Sequence, residues 1–201
     1  MSEVIRARRR RADAERSAAV VLDAAVEILG QHPDASVEAI AAAAGVSRQT
    51  VYAHFPSRQL LLEAVIGRIT EEVLAAIDAS GLDVGTPTSA LLRWLDATWQ
   101  LIDRYPLLLH PSIAVVESEE SRSRHLPIID RLEALIRRGR RTGEFDRRLP
   151  ADWLLTATMA LGHAAGDEVG AGRMTSDQAR RALRASVLRL FGVGNGPHAV
   201  T

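Results

Sequence analysis

Hydrogen-bonding side chains are concentrated in one short run of the sequence. The run reads Ser47, Arg48, Gln49 and Thr50, and Tyr52 follows at helical spacing. Because Ser47 is a good N-cap, we expect the run to form the first turn of a short helix. Exposed hydrogen-bonding groups at a helix N-terminus are what reading base edges in the major groove of DNA requires.

A second polar group, near residue 120, offers a different chemistry. Its carboxylates and imidazole belong to Glu117, Glu119, Glu120 and His125, residue types that serve in acid–base catalysis or in metal binding. Serines and arginines are interleaved with them, which is more typical of a solvated loop or a helix start. Nucleophile-elbow, phosphate-binding glycine-loop and zinc-helix motifs do not occur in the sequence. We therefore expect no catalytic residue, no metal site and no cofactor.

Two short helices joined by a tight turn would hold the first run in place, and residues 40–55 fit that motif. Gly45 allows a left-handed backbone at the turn. Ala41, four positions earlier, is small enough for a second helix to cross there. The apolar residues expected to anchor the motif in the core are Ile40, Ala44, Val46, Val51 and Phe55. The sequence thus predicts a helix-turn-helix at about residues 36–54, with Ser36 as the first N-cap.

The segment SVEAIAAAAGVSRQTVYAHFPSRQLLLEAV, which starts at Ser36, resembles the N-terminal domain of the TetR family of bacterial repressors. That family shows a Ser/Thr-Val-acidic-x-Ile-Ala helix followed by Gly-Val-Ser-x-x-Thr-Val/Leu-Tyr-x-His/Tyr-Phe. The likeness extends over residues 17–66, and its Tyr-x-His-Phe ending is the most specific part. The remaining residues agree with the family in length and helical character.

The resemblance implies a set of DNA contacts. Ser47, Arg48, Gln49 and Thr50 would begin the recognition helix, and Arg48 and Gln49 match guanine and adenine by bidentate geometry. Phosphate contacts are implied for Ser36, Tyr52, His54 and Arg58, where Arg58 replaces the family's usual lysine. Alternative structural roles are packing of the Tyr52 ring on the helix below and C-capping by His54.

The resemblance also implies a dimer formed by the last two helices and an effector pocket enclosed by the middle helices. Dimer-interface candidates are Leu154, Leu161, Ala165, Leu183, Val187 and Leu190. Pocket candidates are Trp94, Thr98, Trp99, Ile102, Tyr105, His110, Met159 and His163. For both sets the alternative is an ordinary role in the core of one protomer.

These features predict a regulator that binds double-stranded DNA as a homodimer, on a palindromic site, and that is released by a small hydrophobic or cationic effector. One alternative is a regulator without a small-molecule ligand, controlled by a protein partner or by its own concentration. Another is an activator or a nucleoid-type protein. "Repressor" rests on the family analogy alone.

Composition and charge exclude further classes of protein. The 201 residues include 25 arginines, no lysine and 25 acidic residues, so the formal net charge is zero and a uniformly basic nucleic-acid binder is excluded. Residues 1–16 nevertheless carry six arginines against three acids, a basic arm that either contacts phosphates or is a solvated, disordered terminus. Without cysteine, a signal peptide or a long apolar run, we expect a cytoplasmic bacterial protein with no membrane partner.

Helical periodicity runs along almost the whole chain and predicts an all-α fold of about nine helices. We expect an N-terminal helix-turn-helix domain of homeodomain-like type at residues 1–60, including the basic arm. A helical effector-binding and dimerisation domain is expected at residues 61–201, ending in a disordered tail from Gly192.

Overall fold

A computed structural model describes residues 2–109 and 119–193. Within these ranges the protein is all-α, as the sequence predicts, with eight α-helices, one short 3-10 helix and no strand. The helices are α1 (Ser2–Gln31), α2 (Val37–Ala43), α3 (Arg48–His54), α4 (Arg58–Ala79), α5 (Pro87–Arg104), α6 (Glu119–Thr142), α7 (Ala151–Gly170) and α8 (Ser176–Leu190), and the 3-10 helix spans Pro106–Leu109. None of these helices is long and apolar enough to cross a membrane. Most of the expected tail lies outside the described residues.

Contacts among the described residues form two compact units. The first contains residues 2–69 and 106–109, and the second contains residues 70–105 and 119–193. The domain boundary expected between residues 60 and 61 would fall inside α4, whose buried apolar positions continue without a break from Leu61 to Ile77. A division into two domains between residues 60 and 61 therefore stays a prediction.

The first unit is held together by an apolar stripe on α1. Val21, Ala25 and Leu29 recur every four residues and are fully buried, so they lie on one face of the helix. α1 packs against α2, α3 and the 3-10 helix. Buried residues from the other elements of this unit are Ile40, Val51, Leu61, Val65, Ile69 and Leu107. The core thus lies directly beneath the predicted helix-turn-helix.

The structure of the basic arm does not agree with one of its two interpretations, a disordered terminus. α1 begins at Ser2, not near Arg16, so the described arm is helical and not disordered. Alanine, arginine and glutamate are strong helix formers, and adding turns to an existing helix requires no new nucleation. Arg6, Arg8 and Arg9 are exposed along this extension.

The second unit has a separate core, in which α7 and α8 make the most extensive helix pairing. The rings of Phe145 and Phe191 meet edge to face, with centroids 4.9 Å apart and planes at 87°. Gly139 of α6 makes room for Phe145, because a Cβ on Gly139 would lie 2.1 Å from the ring. Trp99 is fully buried, and its indole N–H donates to Ser176 Oγ over 3.0 Å, which links α5 to the start of α8.

Candidate DNA-binding surface

The turn between α2 and α3 is closed by a specific hydrogen-bond pattern. Gly45 has φ of 65°, in the left-handed region that disfavours any residue with a Cβ. Its N–H donates to the Ala42 carbonyl over 3.2 Å, and the Val46 N–H donates to the Ala41 carbonyl over 3.0 Å. These two bonds form a Schellman motif, which ends one helix and directs the chain into the next. The prediction for Gly45 is confirmed.

Serine side chains cap both helices of the motif. Ser36 Oγ accepts a hydrogen bond from the Ala39 N–H over 3.2 Å, and Ser47 Oγ accepts one from the Thr50 N–H over 3.1 Å. The hydroxyls of Ser47 and Thr50 also lie 2.8 Å apart and share a hydrogen bond. Both predicted N-caps are therefore confirmed, and the hydroxyls of Ser47 and Thr50 already hold the first turn of α3.

One face of α3 packs inward and the other faces solvent. Val51 is 1% exposed and packs in the same core as Ile40 and Ala41, which are also buried. Arg48 and Gln49 are exposed on α3. The remaining expected anchors, Ala44, Val46 and Phe55, are only half-buried. Val51 and Ile40 thus fix the orientation that leaves the two base-contact candidates exposed.

Arg48 has two partners in the free protein. Its guanidinium forms an ion pair with Glu38 of α2 and lies over the Tyr52 ring, 5.3 Å from the centroid. The pKa of Glu38 lies below its usual value because its backbone N–H and the Ser36 hydroxyl bond to the carboxylate, and Arg48 adds to the effect. The pKa of Arg48 is raised by Tyr52 and then by Glu38. Both groups therefore stay charged near neutral pH.

Glu38 was not among the residues singled out from the sequence. The signal for it is modest, since Glu38 is the acidic residue of the motif helix that precedes the recognition run. Which arginine it meets depends on how α3 crosses α2, and sequence spacing alone does not give that crossing.

Tyr52 and His54 lie on α3 and are both half-buried. They are two positions apart, so their side chains leave the helix in directions about 200° apart. The two side chains therefore do not converge on one point. The Tyr52 ring supports the Arg48 guanidinium.

Arg58 has a structural role in addition to the implied phosphate contact. Its guanidinium donates to the carbonyls of Ala35 and Pro33, both over 2.7 Å. These bonds join the start of α4 to the loop that precedes Ser36. A guanidinium carries five N–H donors, so donors remain for a phosphate. The sequence did not indicate this link, because it joins residues more than 20 positions apart.

Comparison with known proteins identifies this arrangement. Residues 21–65 match the family model described as bacterial regulatory proteins of the tetR family, and the match spans α2, the Gly45 turn and α3. Residues 21–65 carry a domain of the TetR family. The resemblance that the sequence motifs carried is confirmed.

Two comparisons with one protein, LfrR, show how far the similarity to known TetR-family proteins extends. The HTH-type transcriptional repressor LfrR of Mycolicibacterium smegmatis is 37% identical over 95 residues, which is 47% of this chain and 49% of LfrR. The chain thus spans about half the length of the curated relatives it matches. A crystal structure of LfrR from Mycobacterium smegmatis in complex with proflavine matches with a TM-score of 0.65 at 28% identity, covering 86% of this chain and 94% of that one.

A more distant structure supports the fold alone. The fatty acid degradation regulator FadR from Bacillus halodurans matches with a TM-score of 0.72 at 15% identity, covering 85% of this chain and 94% of that chain. The all-helical TetR-like fold, with its N-terminal helix-turn-helix and C-terminal helices, therefore extends well beyond the motif.

The pocket candidates implied by the TetR family occupy varied environments in the second unit. Trp94, Trp99 and Tyr105 are buried, and the Tyr105 hydroxyl donates to Glu72 over 2.8 Å. Thr98, Ile102 and Met159 are half-buried, and the Thr98 hydroxyl bonds to carbonyls of its own helix. His163 is exposed, and His110 lies outside the described residues. The Trp94 indole N–H is buried without a hydrogen-bond partner in the described part of the chain.

The interface candidates divide into two groups. Leu154, Leu183 and Val187 are buried within one protomer, with at most 5% of each residue exposed, which fits the alternative role in the core between α7 and α8. Their place in a dimer interface stays a prediction. The half-buried members are Leu161, Ala165 and Leu190.

The alternative carboxylate cluster is only partly described. Glu119 and Glu120 open α6, which fits the predicted helix start, and His125 follows in the same helix. Glu117 lies outside the described residues. Where the side chains are described, no three histidine, aspartate or glutamate residues are grouped so as to hold a metal ion.

Proposed function

We propose that this protein is a sequence-specific DNA-binding transcriptional regulator of the TetR family. It binds a palindromic operator as a homodimer, represses transcription in the bacterial cytoplasm, and is released by a small-molecule effector. The observation that carries the proposal is α3, a capped helix locked by buried Val51 that exposes Arg48 and Gln49 within the segment that matches the family model. The LfrR repressor, 37% identical over 95 residues, supports it.

The proposed DNA contacts follow from the surface of the first unit. Arg48 and Gln49 read base edges, since arginine and glutamine pair bidentately with guanine and adenine. Phosphates are bound by Ser36, Ser47, Thr50, Tyr52, His54 and Arg58. The exposed arginines of the α1 extension, Arg6, Arg8 and Arg9, add sequence-independent attraction to the backbone.

Base reading by Arg48 requires a change of partner. In the free protein Arg48 is paired with Glu38, and the same guanidinium cannot hold the carboxylate and a guanine edge at full strength. An exposed ion pair is weakened by solvent screening, and a bidentate base contact is stronger, at about 1–3 kcal/mol. The exchange therefore favours the DNA complex where guanine is present.

The proposed dimer interface lies on a face of α7 that starts at Trp153. This face is displaced by one residue from the stripe containing Leu154, which the periodicity suggested. Trp153 is 55% exposed, and Ala160 and Ala164 are exposed with half-buried Ala157 between them and the tryptophan. Their spacings of four, three and four residues form a continuous helix stripe. Small side chains let a partner helix approach closely, and Trp153 supplies apolar area to bury.

The proposed effector is a small hydrophobic or cationic molecule bound among the helices of the second unit. The LfrR structure in complex with proflavine makes proflavine the first compound to test. Trp94 offers a polar anchor, because a buried donor without a partner in the described chain is satisfied by a ligand that carries an acceptor. Saturable binding of proflavine by calorimetry, together with loss of operator binding at the same concentrations, supports this role.

A regulator without a small-molecule ligand is the second candidate. The close burial of Trp99 and Tyr105, each bonded to a neighbouring helix, favours it. If neither proflavine nor a panel of hydrophobic and cationic compounds releases the operator, this candidate replaces effector control and leaves DNA binding intact.

Footprinting over the upstream region of the protein's own gene tests the main proposal. We expect two protected half-sites related by two-fold symmetry, with centres about one helical turn of DNA apart or a multiple of it. Uniform protection along the fragment, at the same protein concentration as on unrelated DNA, would contradict sequence-specific binding and favour a nucleoid-type protein.

A further inference from the structure

A cleft on the second unit contains none of the candidate DNA-contact, interface or effector-pocket residues. It lies between the C-terminal end of α4, the loop that follows, and the last turns of α6, and its volume is about 400 Å³. None of the eight pocket candidates lines it. A volume of this size falls in the range of small-molecule sites, about 300–1,000 Å³.

The floor of the cleft is apolar and its walls are basic. Ile77 and Leu135 are buried at the base, with half-buried Leu82 beside them. Four arginines and two aspartates also line it, so its walls carry an excess of positive charge. An apolar floor with convergent charged groups is the usual composition of a binding site for a small organic ion.

Two of the arginines are not neutralised by close ion pairs. Arg131 is fully engaged by Asp78, through two bonds of 2.5 and 2.7 Å, and Arg137 pairs with Glu133. Arg138, by contrast, meets its acidic neighbour Asp83 at 3.9 Å, beyond hydrogen-bond distance. Arg141 is exposed, and no carboxylate in the described ranges pairs with it.

Arg138 carries the strongest sign of a missing partner. Its side chain is only 19% exposed, and its Nε and Nη2 atoms are buried without a hydrogen-bond partner among residues 2–109 and 119–193. Leaving charged donors unpaired in a buried position is costly. The negative end of the α6 dipole favours cations in this turn but does not supply the acceptors that Arg138 lacks.

We propose that this cleft binds a small organic anion, a carboxylate or phosphate ester with an apolar body, through Arg138 and Arg141. The two arginines are three positions apart on α6 and therefore neighbours on its surface. Guanidinium groups suit the planar, bidentate recognition of carboxylate and phosphate. The apolar body of the ligand lies against Leu82 and Leu135. This anion site is distinct from the proposed site for a hydrophobic or cationic effector.

Calorimetric titration of the full-length protein tests the proposal with five small probes. Benzoate and phenyl phosphate combine an anion with an apolar ring, inorganic phosphate is the bare anion, and benzyl alcohol and benzylammonium are neutral and cationic analogues. We expect saturable binding of benzoate or phenyl phosphate. Arg138→Gln and Arg141→Gln should each weaken it at least about tenfold, the loss of one charge-assisted bond.

Arg173→Gln is the matched control, since Arg173 is an exposed arginine outside the cleft that is paired with Glu168. It removes the same charge and should leave binding unchanged. Loss of binding in Arg173→Gln equal to that in the cleft variants would show non-specific attraction and overturn the site. Equal binding of benzyl alcohol would contradict the requirement for an anionic group. Equal binding of inorganic phosphate would contradict the requirement for an apolar body.

The cleft variants also separate this proposal from the proposed function. Arg141 is exposed, so Arg141→Gln should keep the circular dichroism spectrum of the wild type even if Arg138→Gln does not fold. Operator binding by unliganded Arg141→Gln should remain at the wild-type level. Failure of every anionic probe to bind a protein that still binds its operator overturns the anion site alone.

Discussion

At the scale of single residues, the DNA-contact candidates differ in what already holds them. Arg48 and Gln49 are exposed, and the other contacts of Arg48 are a surface carboxylate and the face of Tyr52. Arg58 bonds two backbone carbonyls. The residue types were readable from the motif because base and phosphate chemistry selects them. Their partners were not, since those depend on residues brought together by folding.

Arg48→Ala and Gln49→Ala should each relax the preference at a different base position of the operator. Each should cost about 1–3 kcal/mol of specific binding, the value of one bidentate base contact. Affinities measured on a set of operators with single substitutions at every position check this. Equal losses on operator and random DNA would contradict base reading by that residue.

Glu38→Gln should raise affinity for operator and random DNA by about two- to fivefold, a small factor because the ion pair that holds Arg48 is exposed and screened by solvent. The operator-to-random ratio should not fall, since the cost of leaving Glu38 is removed from every complex in which Arg48 contacts DNA. The same substitution in an Arg48→Ala background isolates the pairwise effect. If Glu38→Gln raises DNA affinity by the same factor in the Arg48→Ala background, Glu38 acts by simple repulsion of the phosphates.

Arg58→Ala should have two separable effects. Loss of the bonds to Pro33 and Ala35 should lower the free energy of unfolding by about 1–3 kcal/mol. Loss of a phosphate contact should weaken binding to all DNA and reduce the salt slope by about one. Denaturant unfolding and titrations at several salt concentrations measure the two effects. A lower stability with an unchanged salt slope would assign Arg58 to the α1–α2 loop alone.

At the scale of helices and turns, local signals located the helix ends of the first unit well. Ser36 and Ser47 act as caps and Gly45 adopts a positive φ, because each depends on a few neighbouring residues. The N-terminal extension of α1 was missed because its apolar residues form no continuous stripe, and periodicity recognises a helix only by its apolar face.

Gly45→Ala should lower the free energy of unfolding by about 1–2 kcal/mol through backbone strain. No atom lies within 4 Å of a Cβ built there, so a steric clash adds nothing. Gly170→Ala is the control, since its Cβ also meets open space but its φ is not positive. Thermal unfolding of the two variants compares them, and equal stability would contradict the role of Gly45 in the turn.

The helical hairpin of α7 and α8 shows where periodicity stops being informative. An apolar stripe containing Leu154 was readable from the sequence, but the stripe does not say which partner covers it. In the structure the other helices of the same unit cover it, and the exposed stripe that starts at Trp153 lies one position further around α7. Only the packing of the second unit decides between the two.

At the scale of the whole molecule, zero net charge means that affinity for DNA must come from a local surface. In the proposed complex the basic residues of α1 and α3 in one protomer would make few phosphate contacts, and two-fold symmetry would double them. Dimerisation is therefore central to operator binding in this account, and bulk charge contributes little.

Trp153→Glu should convert the protein to a monomer at micromolar concentration, because it buries a charge in the proposed α7 interface. Operator affinity should fall with it, since only one half-site is held at a time. Val84→Glu is the matched control, an equally charged substitution at an exposed apolar residue elsewhere in the second unit. Sedimentation velocity measures the oligomeric state, and a dimeric Trp153→Glu variant would contradict this interface.

The most direct test of sequence-specific regulation is the ratio of two dissociation constants, for the footprinted operator and for random DNA of the same length, at physiological salt. A dimer that reads bases through Arg48 and Gln49 should favour the operator by at least about 10³. The ratio should fall about tenfold or more when Arg48 is replaced by alanine. A ratio near one for the wild-type protein would contradict the account.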